Sequence, residues 1–494
     1  MIKYILLLIF ISPHFLAQKS YETKLEEGIE YSYNLDFQKS AAIYRSLTAA
    51  EPDNPAAYHY LSRDRLYRFL GSGDEADFNS FFDYSNLAVE KAERLLEKKS
   101  GNQDIKFILG SAQFLRSIAH SYKGENMDAF FSAKNAKGNL EDVVEENPKY
   151  YDAYLGIGAL KYALSEISGF ATLALKLARL SGNKNEGLEL VKKTYDSGER
   201  LKPEAAFQLS KIYNDYLAFY GKASEVLEPI IKKYPNNVLF LYQYAIAKMN
   251  DRKLDEAEKI LRRVLKINNA DFHQTNSYSN FLLGDIFFKK NEFAKAIENY
   301  KRFLKSTNEL AYTGIANLRI SISQLFLGRD LEARKSLLLA QNGNPDIKED
   351  EFAKERSKEI LSDGLSEEEK TLIYNKHKIE SGNFEEALEN LKNKKFIVRK
   401  LETARKALSA EALLYTDNLS KAAELAESII ETRDEETYSY AFAKWINAKV
   451  YFRKGEFKTA KDVIDDLEIK ENFEDSQKLK AKVEGLKRMI RERS

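Results

Sequence analysis

The chain contains no cysteine. That excludes disulfides, cysteine-based zinc sites and a lipid anchor of the kind attached to an N-terminal cysteine. Its stability has to come from packing alone. Proline is scarce, 8 in 494 residues. Four of them, Pro52, Pro148, Pro235 and Pro345, stand where a repeating unit should end. There are no valine-rich alternating runs, and Lys, Glu, Ala and Leu dominate, so the chain reads as all-α. Charge of either sign in excess is also missing, with 77 basic against 76 acidic side chains. Removing Lys3 with the first 17 residues leaves 76 of each sign. A nucleic-acid binder would carry a basic stripe, so none is expected as a partner.

Chemical motifs are absent too. The five histidines, His14, His59, His120, His273 and His377, include no His-Glu-x-x-His and no second His at ligand spacing. There is no phosphate-binding Gly-x-x-x-x-Gly-Lys-Ser/Thr loop and no Gly-x-Ser-x-Gly elbow. Gly156-x-Gly158 lacks a third Gly and a preceding strand, so it is no dinucleotide fingerprint. Acidic pairs such as Glu385-Glu386 read as solvated helix faces. No cofactor and no catalysis are expected.

Residues 1–17 differ from the rest. Lys3 is a positive start, Ile5 to Ile11 a short apolar core, and Pro13 breaks it before Ala17. This is the pattern of a secretory signal peptide cut after Ala17, with Phe15 the one residue at odds with the small-residue rule. The apolar core is short for a membrane span, and no later stretch approaches the ~20 apolar residues a spanning helix needs. The expected location is the periplasm or cell envelope, in soluble form and not as a lipoprotein.

At 494 residues the chain is too long for one core, and residues 280–304 show how it is built. Leu283-Gly284 is followed by Phe287, then Ala296, Tyr300 and Phe303. Two helices packing across a tight turn need small residues, Gly284 and Ala296, where they touch, and large ones around that contact. The spacing resembles the tetratricopeptide repeat. The resemblance implies an α-solenoid of antiparallel helix pairs wound in a right-handed superhelix, and a protein-binding role.

Read in order, 18–147 holds degenerate helix pairs. Ser40, Tyr44 and Pro52 mark the first. Gly71-Ser72-Gly73 and Gly101-Asn102 break two elongated pairs. Residues 148–203 form one repeat with an insertion. A regular array spans 204–345, with Ala223, Ala257, Ala296 and Ala333 spaced by 34, 39 and 37. Residues 346–370 carry 15 charged side chains in 25, and 346–364 is expected to be a charged linker and the domain boundary. Residues 365–494 resume the array with Ala387, then Tyr451 and Ala460, an ambiguous register near Ala423, and a polar closing helix.

The insertion at 170–180 is apolar at eight of eleven positions. Its surface would comprise Phe170, Leu173, Lys176, Leu177, Arg179 and Leu180. Almost all round apolar, it needs cover from neighbouring helices, a partner helix or a membrane surface. Gly156-x-Gly158, then Leu180-Ser181-Gly182-Asn183-x-x-x-Gly187-Leu188, then Glu204-Ala205-x-x-x-Leu209-x-x-Ile212-Tyr213 resemble a segment of a eukaryotic tetratricopeptide-like family. That family is associated with the mitochondrial outer membrane and clearance of protein inclusions, and the likeness implies a shared helical insert.

The repeat resemblance implies a non-catalytic scaffold that binds a peptide or helix on its concave, first-helix face. Most of the 29 Tyr and 29 Phe must be core. Candidates for the binding face are Tyr151, Tyr154, Tyr242, Tyr278 and Tyr312. Two other readings use the insert: an adaptor docked on a membrane surface through 170–180, and a binding protein holding a small ligand beneath it. The leader supplies a direct test. Intact-mass measurement on protein from the envelope fraction should show a chain beginning after Ala17; a cytosolic chain retaining residues 1–17 would refute export.

Overall fold

The computed structural model describes residues 13–166, 180–307, 309–435, 437–470 and 475–493, with side chains from 20 onward. Among these are 24 α-helices and no strand. The chain divides into two compact units. Unit 1 is Met1–Leu209 with Ile230–Asn237, and unit 2 is Ser210–Pro229 with Val238–Ser494.

In unit 1 the helices α1 (Pro13–Tyr33) and α2 (Phe37–Ala50) pair, as do α3 (Pro55–Ser72) with α4 (Glu75–Lys98) and α5 (Gln103–Tyr122) with α6 (Asn126–Glu146). The last four run to 18, 24, 20 and 21 residues. Side-chain caps start three of them: Asn54, Asp74 and Asn102 accept from the N–H groups of Ala56, Ala76 and Ile105. α7 (Ala153–Ser165) then packs on α8 (Lys184–Ser197). Here Gly158 and Gly187 face each other. A Cβ on either would sit 2.7 Å from the other's carbonyl oxygen, so the backbones touch. That approach offsets the ~1 kcal/mol that glycine costs a helix interior. Asn183 caps α8 by accepting from Glu186 N–H at 3.1 Å. Of the expected insert only Leu180 is described, and it is buried. Phe170, Leu173, Lys176, Leu177 and Arg179 lie outside the described residues.

Unit 1 also has a polar core. Arg63 is 2% exposed, donates to Glu204 Oε1 at 3.2 Å, and lies 4.7–5.7 Å from the ring centres of Tyr33, Tyr60 and Tyr67. Burial pushes the Glu204 carboxyl up to about 8, while the adjacent guanidinium favours the ionised form.

α9 (Lys202–Lys211), continued by a π-helical turn at Ile212–Tyr216, and α10 (Tyr220–Lys233) come next. In unit 2, α11 (Val238–Asn250) pairs with α12 (Leu254–Ile267), α13 (His273–Lys289) with α14 (Phe293–Ser306), and α15 (Thr313–Phe326) with α16 (Asp330–Ala340). After α17 (Lys348–Asp363), α18 (Glu367–Glu380) pairs with α19 (Phe384–Lys392), α20 (Arg399–Tyr415) with α21 (Leu419–Ile430), and α22 (Tyr438–Arg453) with α23 (Phe457–Ile464). α24 (Ser476–Arg491) ends the unit.

One turn recurs within the pairs. The first helix ends on a residue of positive φ, two before the second helix begins: Leu35, Gly124, Arg252, Asn291, Gly328, Gly382, Asp417 and Gly455. The next residue's N–H reaches back five positions to a first-helix carbonyl. Glu292 bonds Phe287 at 2.8 Å, Asn383 bonds Lys378 at 2.8 Å, and Glu456 bonds Tyr451 at 2.9 Å. This is the Schellman geometry, which satisfies the orphan carbonyls of a helix end. It fixes where the second helix starts, and the fourth residue of that helix meets the first helix. That residue is Ser40, Ala129, Ala257, Ala296, Ala333, Ala387, Ala422 or Ala460; Ala129 is 9% exposed and each of the others 0%. The ambiguous register near Ala423 is thereby resolved in favour of Ala422.

Two expectations are corrected. Residues 346–364 are not a linker: α17 packs on α15 and α16 with Ala353, Ser357 and Ile360 buried. Its charges cover the outer face and mask an inward stripe spaced by three and four residues. Asp350 bolts it in place, accepting N–H bonds from Ile315 at 2.8 Å and Asn344 at 2.9 Å. The division of the chain falls near 209–238 instead. The closing helix is likewise more than a polar cap. α24 buries Leu479, Val483, Gly485, Leu486 and Ile490. It packs on α22, α23 and the π turn at 212–216, so the last helix of unit 2 lies against its first segment. A Cβ on Gly485 would sit 2.0 Å from the Leu217 oxygen.

In the α13–α14 pair Leu283, Phe287, Tyr300 and Phe303 are all buried, and Gly284 lies against the Tyr300 ring. Ala296→Leu should therefore cost roughly 1–3 kcal/mol by overpacking, while Lys295→Leu, on the exposed side, should cost little. Denaturant midpoints of the two variants check this; equal midpoints would place the contact elsewhere.

Candidate interaction surface

The five tyrosines named from sequence separate into two groups. Tyr151 and Tyr154 belong to unit 1 and hold the 148–154 segment together. The Tyr151 carbonyl accepts from Thr194 Oγ1 at 2.7 Å, the Tyr154 hydroxyl donates to the Pro148 carbonyl at 3.1 Å, and the Lys193 ammonium lies 4.6 Å from the Tyr154 ring centre. Tyr242, Tyr278 and Tyr312 are brought together in unit 2, on α11, on α13 and at the start of α15. The Tyr278 and Tyr312 rings meet edge to face at 5.9 Å, and Phe281 adds a contact with Tyr312 at 5.5 Å. All three are half-buried against the main core of unit 2. Burial, with Tyr312, Tyr278 and Asp285 close by, pushes the Tyr242 hydroxyl far above its ordinary range. They rim a core and stay partly exposed.

Elsewhere charge ties first helices of unit 2 to one another, to the α11–α12 turn and to α24. Lys289 lies 3.7 Å from Glu380, and Asp475 pairs with Lys376 at 2.6 Å and Lys478 at 3.1 Å. Glu411 is shared by Arg252 at 3.0 Å and Lys482 at 3.3 Å. Burial would raise the Glu380 carboxyl, but Lys289, Lys478 and Lys376 outweigh it and hold it at about 2. Such groups are satisfied partners of one another and offer no poised acid or base.

The repeat pattern is interrupted where α17 intervenes, and an open groove of about 460 Å³ lies there. It is lined by Phe326 at the end of α15, by Glu367, Lys370, Thr371, Tyr374 and Asn375 on α18, and by Asn390 and Lys394 at and beyond the end of α19. The Ser366–Glu369 capping box begins α18, and Arg356 of α17 pairs with Glu369 at 2.5 Å. Asn375 is buried, donates to the Thr371 carbonyl at 2.8 Å and accepts from Asn390 at 3.1 Å. Lys370 pairs with Glu367 at 2.8 Å. Two rings, two ammonium groups, a carboxylate and side-chain amides thus converge on open space. Sequence reading missed this groove, because Phe326 comes from the array read as regular and the other residues from a short, irregular pair beyond the segment taken for a linker.

One group of three side chains has metal-ligand proximity among the described residues. His120, Glu125 and Asp128, at the α5–α6 turn, have ligand atoms within 4.8 Å of one another. His120 and Glu125 already share a 2.6 Å hydrogen bond, and both acids are exposed, so the turn accounts for the grouping. Of the repeat-packing residues, Gly284, Phe287, Ala296, Tyr300, Ala333, Ala387 and Ala460 are buried, and Tyr451 is half-buried on α22.

No family model matches this sequence, and no curated protein does. Similar solved structures include the C-terminal part of a TPR repeat-containing protein from Cytophaga hutchinsonii. It is 14% identical with a TM-score of 0.30, and the match covers 57% of this chain and 95% of that one. Yeast Tom70 is 15% identical with a TM-score of 0.30, covering 96% of this chain and 97% of that one. The described residues form an all-α array of antiparallel helix pairs. Its internal marks are the paired helices, the shared turn and the buried small residue at the fourth position of each second helix. At these identities the likeness carries nothing about what this chain binds.

His377 reports on the seat of α18. It is 4% exposed, its Nδ1 lies 2.6 Å from Asn291 Oδ1, and its ring meets Phe288 at 4.4 Å. Burial pushes it down to about 3, against the Glu380 carboxylate and helped by Lys376, Lys289 and Arg319. The folded state keeps it neutral while the unfolded chain protonates it below about 6.5. Its contribution is therefore complete above that pH and is lost as pH falls toward 3. His377→Gln should flatten the stability–pH curve in that window by up to about 1.4 kcal/mol per pH unit. Urea titrations of both chains at pH 4 to 7.5 measure it; unchanged slopes would mean His377 titrates freely.

Proposed function

We propose that this chain is a non-catalytic protein-interaction scaffold of the cell envelope, exported by residues 1–17 and soluble there. The observation that carries the binding reading is the groove between α15, α18 and α19. It is open and ring-walled, and its amides and ammonium groups point into it without forming a reaction centre. A peptide supplies what such a groove can hold: backbone carbonyls for Lys370, Lys394 and Asn390, and side chains for the Phe326 and Tyr374 rings. Among the described residues no helix is long and apolar enough to cross a membrane. The leader and the absence of cysteine support an exported form without a lipid anchor.

The test is capture from envelope extract on the immobilised full chain. Wild-type protein should retain a discrete partner, and Lys370→Glu with Lys394→Glu should retain at least tenfold less. Lys295→Glu, on the outer face of α14, should retain it fully. Equal capture by the groove variant would show that the groove is not the binding face.

A further inference from the structure

The second helix of each pair presents an outer face, and on α16 that face differs from those before it. Counting from the buried small residue, the fifth and sixth positions onward are Arg262 and Arg263 on α12 and Lys301 and Arg302 on α14. On α16 they are Leu338 and Leu339. The position two before the small residue is Asp255, Ala294 and Leu331 in the three helices. Leu331 is 83% exposed, Leu338 54% and Leu339 57%, with Leu327 at the preceding turn also exposed. Leu331 and Leu338 are seven apart and share one stripe. The core side of the helix is complete without them, since Ala333, Ser336, Leu337 and Ala340 are buried.

The cations around the stripe are less paired than those of the earlier outer faces, where Lys259 and Lys301 also lack an ion pair among the described residues. On α12 Arg262 pairs with Glu258 at 2.9 Å, and on α14 Lys295 pairs with Glu292 and Arg302 with Glu298, both at 2.5 Å. Arg334 and Lys335, set between Leu331 and Leu338, form no ion pair among the described residues, and neither does Arg329 beside Leu327. Glu332 is already engaged by Gln324 Nε2 at 3.3 Å. A leucine stripe with unneutralised cations at its middle fits a complementary surface of leucines flanked by carboxylates.

We propose that the outer face of α16 docks an acidic amphipathic helix of another protein, with the partner's aliphatic stripe on Leu331, Leu338 and Leu339 and its Asp or Glu residues on Arg334 and Lys335. A second copy of this chain fits worse. Two α16 helices related by a two-fold axis would pair Leu331 with Leu338 of the other copy and set Arg334 and Lys335 of both copies against each other. The site shares no residue with the groove, so either can fail without the other.

The probe is a displayed library of helix-forming peptides with leucines at three- and four-residue spacing and flanking positions varied among Glu, Gln and Lys. It is selected on the full chain and counter-selected on the chain carrying Leu331→Glu and Leu338→Glu. These residues are exposed, so the variant should keep the wild-type circular dichroism and melting midpoint. Selected peptides should be rich in Glu beside the leucines. By fluorescence anisotropy they should bind at least tenfold more weakly to Arg334→Glu/Lys335→Glu, and more weakly with rising salt. Selection without Glu enrichment, or equal binding to the leucine variant, would overturn the proposal. So would a dimer in sedimentation that the leucine changes abolish, which would assign the face to a second copy. Binding to phosphatidylglycerol vesicles lost on the same changes would assign it to lipid and overturn the proposal as well.

Discussion

The hydrogen bond that runs back five residues from the start of the second helix, present in eight of the pairs, is the constraint on which those pairs depend. It forces the preceding residue to a positive φ, the left-handed region that glycine adopts without cost. Gly124, Gly328, Gly382 and Gly455 use that freedom. Once the turn is closed, the second helix has one starting point and one rotational phase. Its fourth residue then faces the first helix at a distance that admits only serine or alanine. The sequence period of 34 to 39 residues follows from connector lengths between pairs, while the geometry inside a pair hardly varies. A repeat can therefore drift in sequence, as the unit 1 helices have, and still be recognised by the turn and the small residue together.

The pairs alone do not explain why unit 2 closes on itself. That depends on long-range polar contacts among first helices and on α24, whose Gly485 allows backbone contact with Leu217. Buried ion pairs add little net stability against apolar replacements, but breaking one partner is costly. Lys289, Glu380, Lys376, Asp475, Lys478 and Glu411 therefore act as register pins. Their consequence for function is subtractive: they occupy inward surface that an open solenoid would offer to a partner. Two surfaces that stay accessible are the groove where α17 breaks the alternation of pairs and the outer face of α16, the second helix just before it.

Much of this was legible in the sequence, and the illegible parts share a cause. Ala257, Ala296, Ala333, Ala387 and Ala460 could be found because a small residue stood out among large ones at a fixed distance from a turn. Ala422 could not, because Ala423 is its neighbour and the preceding turn residue is Asp417, not glycine. α17 was hidden because its inward stripe is Ala353, Ser357 and Ile360, only one of them large, beneath a dense charged face. The groove was invisible for a related reason. It is made from Phe326, Lys370, Tyr374, Asn390 and Lys394, which no single period connects, and it exists only because α17 offsets α18 from α15. The tyrosine candidates show what ring pattern alone conveys. Tyr242, Tyr278 and Tyr312 do converge, but ring size at a first-helix position does not tell a rim of the core from a binding face.

Arg252 joins the local constraint to the global one. It occupies the left-handed turn position at φ 62°, where a side chain with a Cβ costs roughly 1–2 kcal/mol relative to glycine. Strain of that size persists where surrounding contacts over-determine it. Here the guanidinium donates to the Ile379 carbonyl at 3.0 Å and to Glu411 at 3.0 Å, and it lies 4.1 Å from the Tyr415 ring centre. One residue thus ties the α11–α12 turn to α18 and α20, helices more than a hundred positions away in the sequence. Asn291 at the equivalent turn does the same on a smaller scale, donating to the Tyr374 carbonyl at 3.3 Å and bonding His377. Where the turn residue has no such distant task, as at Gly328, Gly382 and Gly455, glycine is found. Arg252 and Asn291 are thus the turn residues that join the first pairs of unit 2 to helices far along the sequence.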